Sequence, residues 1–181
     1  MSIPDSDDHV TSSPHASLAR AAIDAWVREG KRLALGESGD VSQELGGRAA
    51  AFVCLKKGGE LRGCIGTFQP TQETLAEEIA ANAVSAACRD PRFPPVTEQE
   101  LASLDISVDV LSEPETVSDA SELDPRRYGV IVKRGDRVGL LLPDLEGVDS
   151  VEQQLEIARN KAGISPHEPI HLYRFTVDRF H

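Results

Sequence analysis

The sequence predicts an α+β domain with mainly antiparallel sheet and flanking helices. Helical and strand-like segments alternate along the chain without a regular strand–helix–strand repeat. Two pairs of apolar runs are each joined by a short glycine-containing turn, at Gly58-Gly59 and at Gly135-Asp136, as in β-hairpins. Residues 104–111 alternate strictly between apolar and polar side chains, which is typical of a strand with one wet face.

Length and composition fit one soluble globular domain. The chain has 181 residues, of which 40% are hydrophobic and 27% charged. Its net charge of −11 argues against general nucleic-acid binding, and the basic cluster around 126–134 is explained more simply as a solvated hairpin rim. Since the sequence contains neither a membrane-length apolar run nor a secretory signal, we expect an acidic cytoplasmic protein and no membrane partner.

The first part of the chain divides into an arm, a helix and a loop. Residues 1–16 are rich in Ser, Asp and Pro and are predicted to be a disordered arm, followed by a single domain over 17–181. Apolar residues recur at helical spacing from Ser17, and Gly30 is the expected end of that helix. Residues 36–47 are predicted to form a polar loop.

Two further helices and one more strand follow the first hairpin. Residues 71–89 have the apolar spacing of an amphipathic helix, which the prolines of 90–96 must end. Residues 112–125 are predicted to be an acidic linker, and residues 150–162 a helix that ends at the following glycine. Residues 170–180 close the domain as one strand.

The first hairpin carries two of the three cysteines. A regular register counted back from its turn places Cys64 opposite Val53, and Cys54 opposite Gly63. The two thiols would then point to opposite faces of the sheet, so we do not expect a disulfide between them.

The segment LRGCIG, residues 61–66, has the character of a reactive-thiol site. Arg62 lies two residues before Cys64, so on a strand both side chains are on one side, with alpha carbons about 6–7 Å apart. A guanidinium that close stabilises a thiolate and lowers the thiol's pKa. Gly63 and Gly66 would let a ligand approach the sulfur. In the alternative interpretation, Cys64 packs as a small apolar residue and Arg62 pairs with an acidic neighbour.

The remaining candidates for chemistry are scattered. Three cysteines without a CxxC spacing indicate neither a disulfide framework nor a zinc site, and no metal is expected. A nucleophilic cysteine normally needs a base. His171, Glu77, Glu78 and Asp90 are the available groups, although each has a simpler structural or surface role. The phosphate-binding glycine motifs and the cysteine cluster of radical-SAM enzymes are not found in the sequence.

Five segments together resemble a known family. They are LRGCIGTF at 61–68, DPRFPPVTEQEL at 90–101, YGVIV at 128–132, GLLLP at 139–143 and KAG at 161–163. In this order they resemble the AMMECR family, which in bacteria and archaea includes the AmmeMemoRadiSam system protein A. The resemblance extends over roughly residues 17–177.

The resemblance implies a fold and partners but no settled reaction. It implies an α+β domain with a larger and a smaller lobe and a cleft between them. It also implies a Memo-like protein and a radical-SAM enzyme as partners, and it specifies no cofactor. The segment regarded as the family's functional centre, LRGCIG, corresponds to Leu61, Arg62, Gly63, Cys64, Ile65 and Gly66 of this chain.

Three hypotheses follow. In the first, the protein is an enzyme or enzyme subunit in which Cys64 is a nucleophile or redox thiol, Arg62 stabilises its thiolate, and Asp90 with Arg92 shapes the cleft. In the second, it is a non-catalytic module in which Arg62 and Arg92 bind a small anionic ligand and Gly63 and Gly66 allow its approach. In the third, it is a scaffold that docks a protein partner.

Overall fold

The computed structural model describes residues 12–35 and 45–181 and contains three α-helices. The helices are α1 (Pro14–Glu29), α2 (Leu75–Cys88) and α3 (Val151–Ala162). A short 3-10 helix, Glu98–Ser103, follows α2.

Within the described residues, eight strands form two antiparallel sheets. The strands are β1 (Ala50–Lys57), β2 (Glu60–Gly66), β3 (Leu104–Leu111), β4 (Glu115–Val117), β5 (Gly129–Arg134), β6 (Arg137–Leu141), β7 (His171–Phe175) and β8 (Val177–Phe180). The first sheet has the order β2-β1-β3-β8 and the second the order β4-β7-β5-β6. All their pairings are antiparallel. The predicted α+β class, both hairpins and the strand over 104–111 are therefore confirmed.

Helix α1 begins earlier than predicted and ends where predicted. The Ser13 hydroxyl accepts a hydrogen bond from the Ala16 N–H, and Pro14 occupies the first turn, where proline is favoured. The helix therefore starts three residues before Ser17. Gly30, with a φ of 66°, ends it in the left-handed conformation. Of the predicted arm, residues 1–11 lie outside the described residues, as do residues 36–44 of the predicted loop.

Helix α2 is shorter than predicted because its first turn is fixed by a capping box. Thr74 and Glu77 exchange hydrogen bonds at its start, so the helix begins at Leu75 rather than near residue 71. It ends at Cys88, before the proline-rich segment, as predicted. The third helix has the predicted bounds, between the Ser150 cap and Gly163.

The C-terminal segment forms two strands rather than one. Strand β7 pairs within the second sheet and β8 within the first, and the chain changes sheets at Thr176. Alternation alone does not reveal this change, because the apolar pattern continues across it. The predicted acidic linker also contains strand β4, which pairs with β7.

Each sheet has its own core, and a third apolar cluster joins the two sheets. Helices α1 and α2 cover the inner face of the first sheet, and α3 covers the second sheet. The joining cluster contains Ala50 and Leu111 from the first sheet, with Ile131 and Phe175 from the second. Full burial of such an aliphatic or aromatic side chain contributes about 1.5–3 kcal/mol. The larger and smaller lobes and the cleft remain predictions.

The two faces of the first sheet have different environments. Val53 and Val108, paired across β1 and β3, are fully buried beneath the helices. Cys54 and its partner Ser107 in β3 point to the opposite, outer face and are half-buried. None of the described helices is long and apolar enough to cross a membrane.

Candidate functional site

The register of the first hairpin changes once. Lys57 pairs with Glu60 as the regular register predicts, but further from the turn Leu55 pairs with Gly63. Arg62 is therefore an extra residue in β2, which makes a β-bulge.

The bulge brings Cys54 and Cys64 together in a disulfide. They are directly paired across β1 and β2, with alpha carbons 4.1 Å apart. The prediction that they point to opposite faces and form no disulfide was wrong. A shift of one residue moves every later side chain of the strand to the other face, so both cysteines lie on the outer face.

The pairing also turns the backbone of Cys64 away from β1, toward the side of β2 that pairs with no other strand among residues 12–35 and 45–181. An alpha-carbon separation this short is typical of the non-hydrogen-bonded pairs of an antiparallel ladder. In such a pair, the N–H and C=O of each residue point away from the partner strand. The Cys64 N–H donates to Asp90 Oδ2 at 2.9 Å, and its carbonyl accepts from Arg92 Nη2 at 3.2 Å. The two sequence motifs LRGCIG and DPRF therefore meet at Cys64.

Asp90 is the buried centre of this contact. Its side chain is only 1% exposed, and its carboxylate accepts from Arg92 Nε at 2.9 Å and from Arg92 Nη2 at 2.7 Å. The Arg92 guanidinium, followed by the Cys64 N–H, holds the pKa of Asp90 well below its usual range despite desolvation. An always-ionised carboxylate is a poor general base at neutral pH, so Asp90 positions the site.

Arg62 has a carboxylate partner of its own. Its Nε and Nη2 donate to the two oxygens of Glu100 at 3.0 and 3.1 Å, and Lys57 lies 3.1 Å from the same carboxylate. The pKa of Glu100 is held far below its usual range, chiefly by Arg62 and then by the Thr97 N–H. Much of the charge of Arg62 is therefore compensated, and its effect on a Cys64 thiolate stays a prediction.

The two glycines have a packing role. A Cβ on Gly63 would collide with the backbone carbonyl of Ala86 in α2, and one on Gly66 would collide with the ring of Phe52. The helix and the ring occupy the space that the glycines leave open. Their predicted role in ligand approach is therefore not needed to explain them and remains a prediction.

The other candidate groups have separate roles. His171 is exposed in the second sheet and pairs with Lys133. Glu77 caps α2. Glu78 is 1% exposed, and its carboxylate accepts hydrogen bonds from the Thr67 hydroxyl and from the backbone N–H groups of residues 71 and 72. Cys88 packs against the first core, where burial raises the pKa of its thiol. Within residues 12–35 and 45–181, no cluster of three His, Cys, Asp or Glu side chains forms a metal site.

Sequence reasoning missed Cys54, Glu100 and Lys161. The pairing of Cys54 depends on the bulge, and the partner of Arg62 lies 38 residues away along the chain. Lys161, in the KAG segment, donates to the Leu140 carbonyl at 3.3 Å. Desolvation, and then the positive charge of Arg92, lowers the pKa of Lys161.

The fold is an α+β domain of two antiparallel sheets with flanking helices. Its candidate site lies on β2, where Asp90 and Arg92 bind the backbone of Cys64. The chain belongs to the AMMECR1 family, whose family model matches residues 16–180.

Relatives and a solved structure agree with this membership. The chain is similar to a Thermotoga maritima protein, with 54% identity over 92% of this chain and 97% of that protein. A Clostridium acetobutylicum protein is 48% identical over 92% of this chain but only 35% of its own length. The crystal structure of an uncharacterised Pyrococcus horikoshii protein superimposes with a TM-score of 0.83 at 32% identity, covering 91% of this chain and 88% of that one.

Proposed function

We propose that this protein performs thiol–disulfide chemistry, with Cys64 as the reacting thiol and Cys54 as its resolving partner. The observation that carries the proposal is the direct pairing of the two cysteines on the outer face of the first sheet. Both residues are half-buried, so part of each remains accessible. Accessible disulfides are in general the labile ones, whereas structural disulfides resist reduction.

The reaction needs a second thiol or disulfide compound and no other co-reactant. In the reduced protein, the Cys64 thiolate attacks one sulfur of a substrate disulfide, forms a mixed disulfide and expels one thiolate. The Cys54 thiolate then attacks the Cys64 sulfur, forms the Cys54–Cys64 disulfide and expels the second thiolate. Two electrons pass from the protein to the substrate, and the two protons of the cysteines are released to water or to the thiolate products. The reverse reaction reduces the protein at the expense of a dithiol.

Asp90 and Arg92 position the reacting thiol in this proposal. They bind the N–H and C=O of Cys64 on the side of β2 where no strand of the described part of the chain pairs with it. The backbone of Cys64 is therefore fixed in the oxidised and the reduced protein alike, and the guanidinium of Arg92 is a cation beside a developing thiolate. Arg62 remains the second cation proposed for this role, shared with Glu100.

The hairpin is suited to repeated opening of its disulfide. The cysteines are only 10 residues apart, so the disulfide closes a short loop and stabilises the fold by about 3 kcal/mol or less. Backbone pairing with β3 and packing against α2 hold β1 and β2 in place independently. Reduction should therefore leave the fold intact.

The cellular setting is part of the proposal. We place the protein in the cytoplasm, where thiols are kept reduced and disulfides are usually transient. The Memo-like protein and the radical-SAM enzyme remain the proposed partners, one of which would supply or accept the substrate. The proposed cleft between the lobes would hold that substrate against Cys64.

The alternative of a purely binding module rests on Arg92 alone. Its side chain is 54% exposed, so it is available to an anion, whereas Arg62 is 12% exposed and already paired with Glu100. A binding module would keep its ligand after Cys64→Ser, whereas a thiol-dependent protein would lose its activity.

Alkylation of the reduced protein tests the proposal. We expect Cys64 in a Cys54→Ser variant to react with an apparent pKa below about 8.5, the free-thiol value, and to react faster than Cys88. Arg92→Ala and Arg62→Ala should each raise that apparent pKa, and both effects are reduced because Asp90 compensates Arg92 as Glu100 compensates Arg62. A Cys64 thiol as slow as Cys88 at every pH would refute the proposal.

A further inference from the structure

We infer that a cavity between α1 and α2 is a separate binding site, which takes a small molecule with a flat apolar body and a carboxylate group. The cavity has a volume of about 410 Å³, which is in the usual range for small-molecule sites. It is lined by the helices that cover the inner face of the first sheet, whereas the disulfide lies on the outer face. The inference is therefore independent of the proposed thiol function.

One face of α2 forms a floor of mainly small side chains. Positions 77, 80, 81, 84 and 85 recur at helical spacing, and all of them line the cavity. Ala80, Ala81 and Ser85 are small, and Ala22 on α1, which lines the same cavity, is small too. These residues leave a space beside the much larger side chain of Trp26.

Trp26 gives the cavity an aromatic wall. It is half-buried and packs against the first core, as do Leu33 and Leu35 from the segment that follows α1. All three side chains line the cavity. An indole ring stacks favourably on another flat ring, and apolar walls favour an apolar ligand body. The lining therefore favours a ligand that contains a ring.

Two arginines give the cavity its positive charge. Arg32 follows α1 and Arg89 follows α2, and both are exposed and line the cavity. Among residues 12–35 and 45–181, neither side chain has a carboxylate partner or a hydrogen bond. The guanidinium carbon of Arg89 lies 5.9 Å from the centre of the Trp26 ring, so a cation stands beside the aromatic wall. A guanidinium with free donors binds a carboxylate strongly.

The lining as a whole is complementary to an anion. Among the described lining residues, Glu77 is the one carboxylate, and it already accepts hydrogen bonds from the Thr74 N–H and hydroxyl at 3.1 and 3.2 Å. Two positive charges against one negative charge make the cavity locally cationic in a chain of net charge −11. Such a local field attracts an anionic ligand to this cavity rather than to the acidic surface elsewhere.

The single tryptophan makes binding measurable. Since Trp26 is the only tryptophan of the chain, its fluorescence reports on this cavity alone. The probes are para-iodobenzoate and para-iodobenzamide, which share a ring and an iodine that quenches a nearby indole, but only the first is charged. We expect saturable quenching, with a dissociation constant about three- to tenfold lower for para-iodobenzoate, because one charge interaction near the protein surface is gained.

Matched variants locate the probe and its charge. Arg32→Gln and Arg89→Gln should each weaken the binding of para-iodobenzoate about three- to tenfold and leave that of para-iodobenzamide unchanged. Arg127→Gln is the control, because Arg127 is also exposed and lies over an aromatic ring, that of Tyr128, but does not line the cavity. Ala81→Leu should abolish the quenching by both probes, since the larger side chain fills the cavity. Its helical circular dichroism should stay unchanged, because position 81 is exposed and leucine favours helix.

Four outcomes would overturn the inference. They are the absence of saturable quenching by either probe, undiminished quenching in Ala81→Leu, equal dissociation constants of the two probes, and equal weakening by Arg127→Gln and the two cavity variants. In the last case only net charge would matter. None of these results bears on the thiol function, which the alkylation of Cys64 tests separately.

Discussion

Asp90 is the residue on which the geometry of Cys64 depends. It follows the last turn of α2, and its carboxylate connects the Cys64 N–H to the guanidinium of Arg92. The sequence indicated that Asp90 and Arg92 belong to the site, from the resemblance of the DPRF segment. It could not reveal that Asp90 binds backbone rather than substrate, because that contact joins residues 26 positions apart.

Replacing Asp90 by asparagine should destabilise the protein and slow the reaction of Cys64. The asparagine side chain keeps the size of the aspartate but loses the charge that binds Arg92, so we expect a loss of about 1–3 kcal/mol in the free energy of unfolding. Urea denaturation at pH 7 measures that loss. Asp136→Asn, in an exposed hairpin turn, is the control and should change stability by less than about 0.5 kcal/mol.

Stability should fall in acid because several carboxylates are stabilised in the folded state. The pKa values of Asp90, Glu78 and Glu100 are all lowered from ordinary values of 3.8 or 4.5. A group whose folded pKa is depressed contributes stability that is complete above its unfolded pKa and is lost as the pH falls toward its folded pKa. Denaturation midpoints should therefore be level above about pH 5 and decline below about pH 4. The decline should be shallower in Asp90→Asn, and equal slopes would contradict the assignment.

At the scale of elements, the hairpin shows what sequence reasoning can and cannot reach. Two apolar runs around Gly58-Gly59 suffice to predict both strands and the turn, because these depend on local chemistry. The bulge at Arg62 depends on distant groups: the Ala86 carbonyl packs against Gly63, and Glu100 binds the Arg62 guanidinium. The predicted register omits this extra residue and therefore placed the two cysteines on opposite faces of the sheet.

Gly63→Ala should damage the contact between β2 and α2. The added methyl group would collide with the backbone carbonyl of Ala86, which cannot move without shifting the helix. We expect a loss of about 1–3 kcal/mol or more, measured by urea denaturation. Gly47→Ala is the matched control, because a Cβ at Gly47 meets nothing within 4 Å. Equal effects of the two substitutions would mean that the close packing at Gly63 is not important for stability.

At the scale of the whole molecule, the candidate site is assembled from distant parts of the chain. Arg62, Cys64, Asp90 and Arg92 were predicted from sequence, and the last three are in direct contact. Cys54 joins them through strand pairing. The division of the last segment into β7 and β8 was not predictable, since the chain's return to the first sheet depends on packing between the two sheets.

Reduction of the disulfide should weaken the fold without unfolding it. The loss should be about 3 kcal/mol or less, which corresponds to a fall in Tm of at most roughly 6–12 °C for a chain of this size. Calorimetry of the oxidised and reduced proteins measures this difference. A Cys54→Ala/Cys64→Ala variant should have the same Tm under both conditions. Complete unfolding on reduction would show that the disulfide is structural.

The redox equilibrium of the Cys54–Cys64 pair tests the central claim most directly. The protein is equilibrated in dithiol–disulfide buffers of graded potential, its free thiols are trapped by alkylation, and each cysteine is quantified by mass spectrometry. We predict that Cys54 and Cys64 become oxidised together in a two-electron transition with a midpoint more positive than about −300 mV, while Cys88 stays reduced. A midpoint well below that value, or a pair that never forms the disulfide, would contradict a thiol–disulfide function.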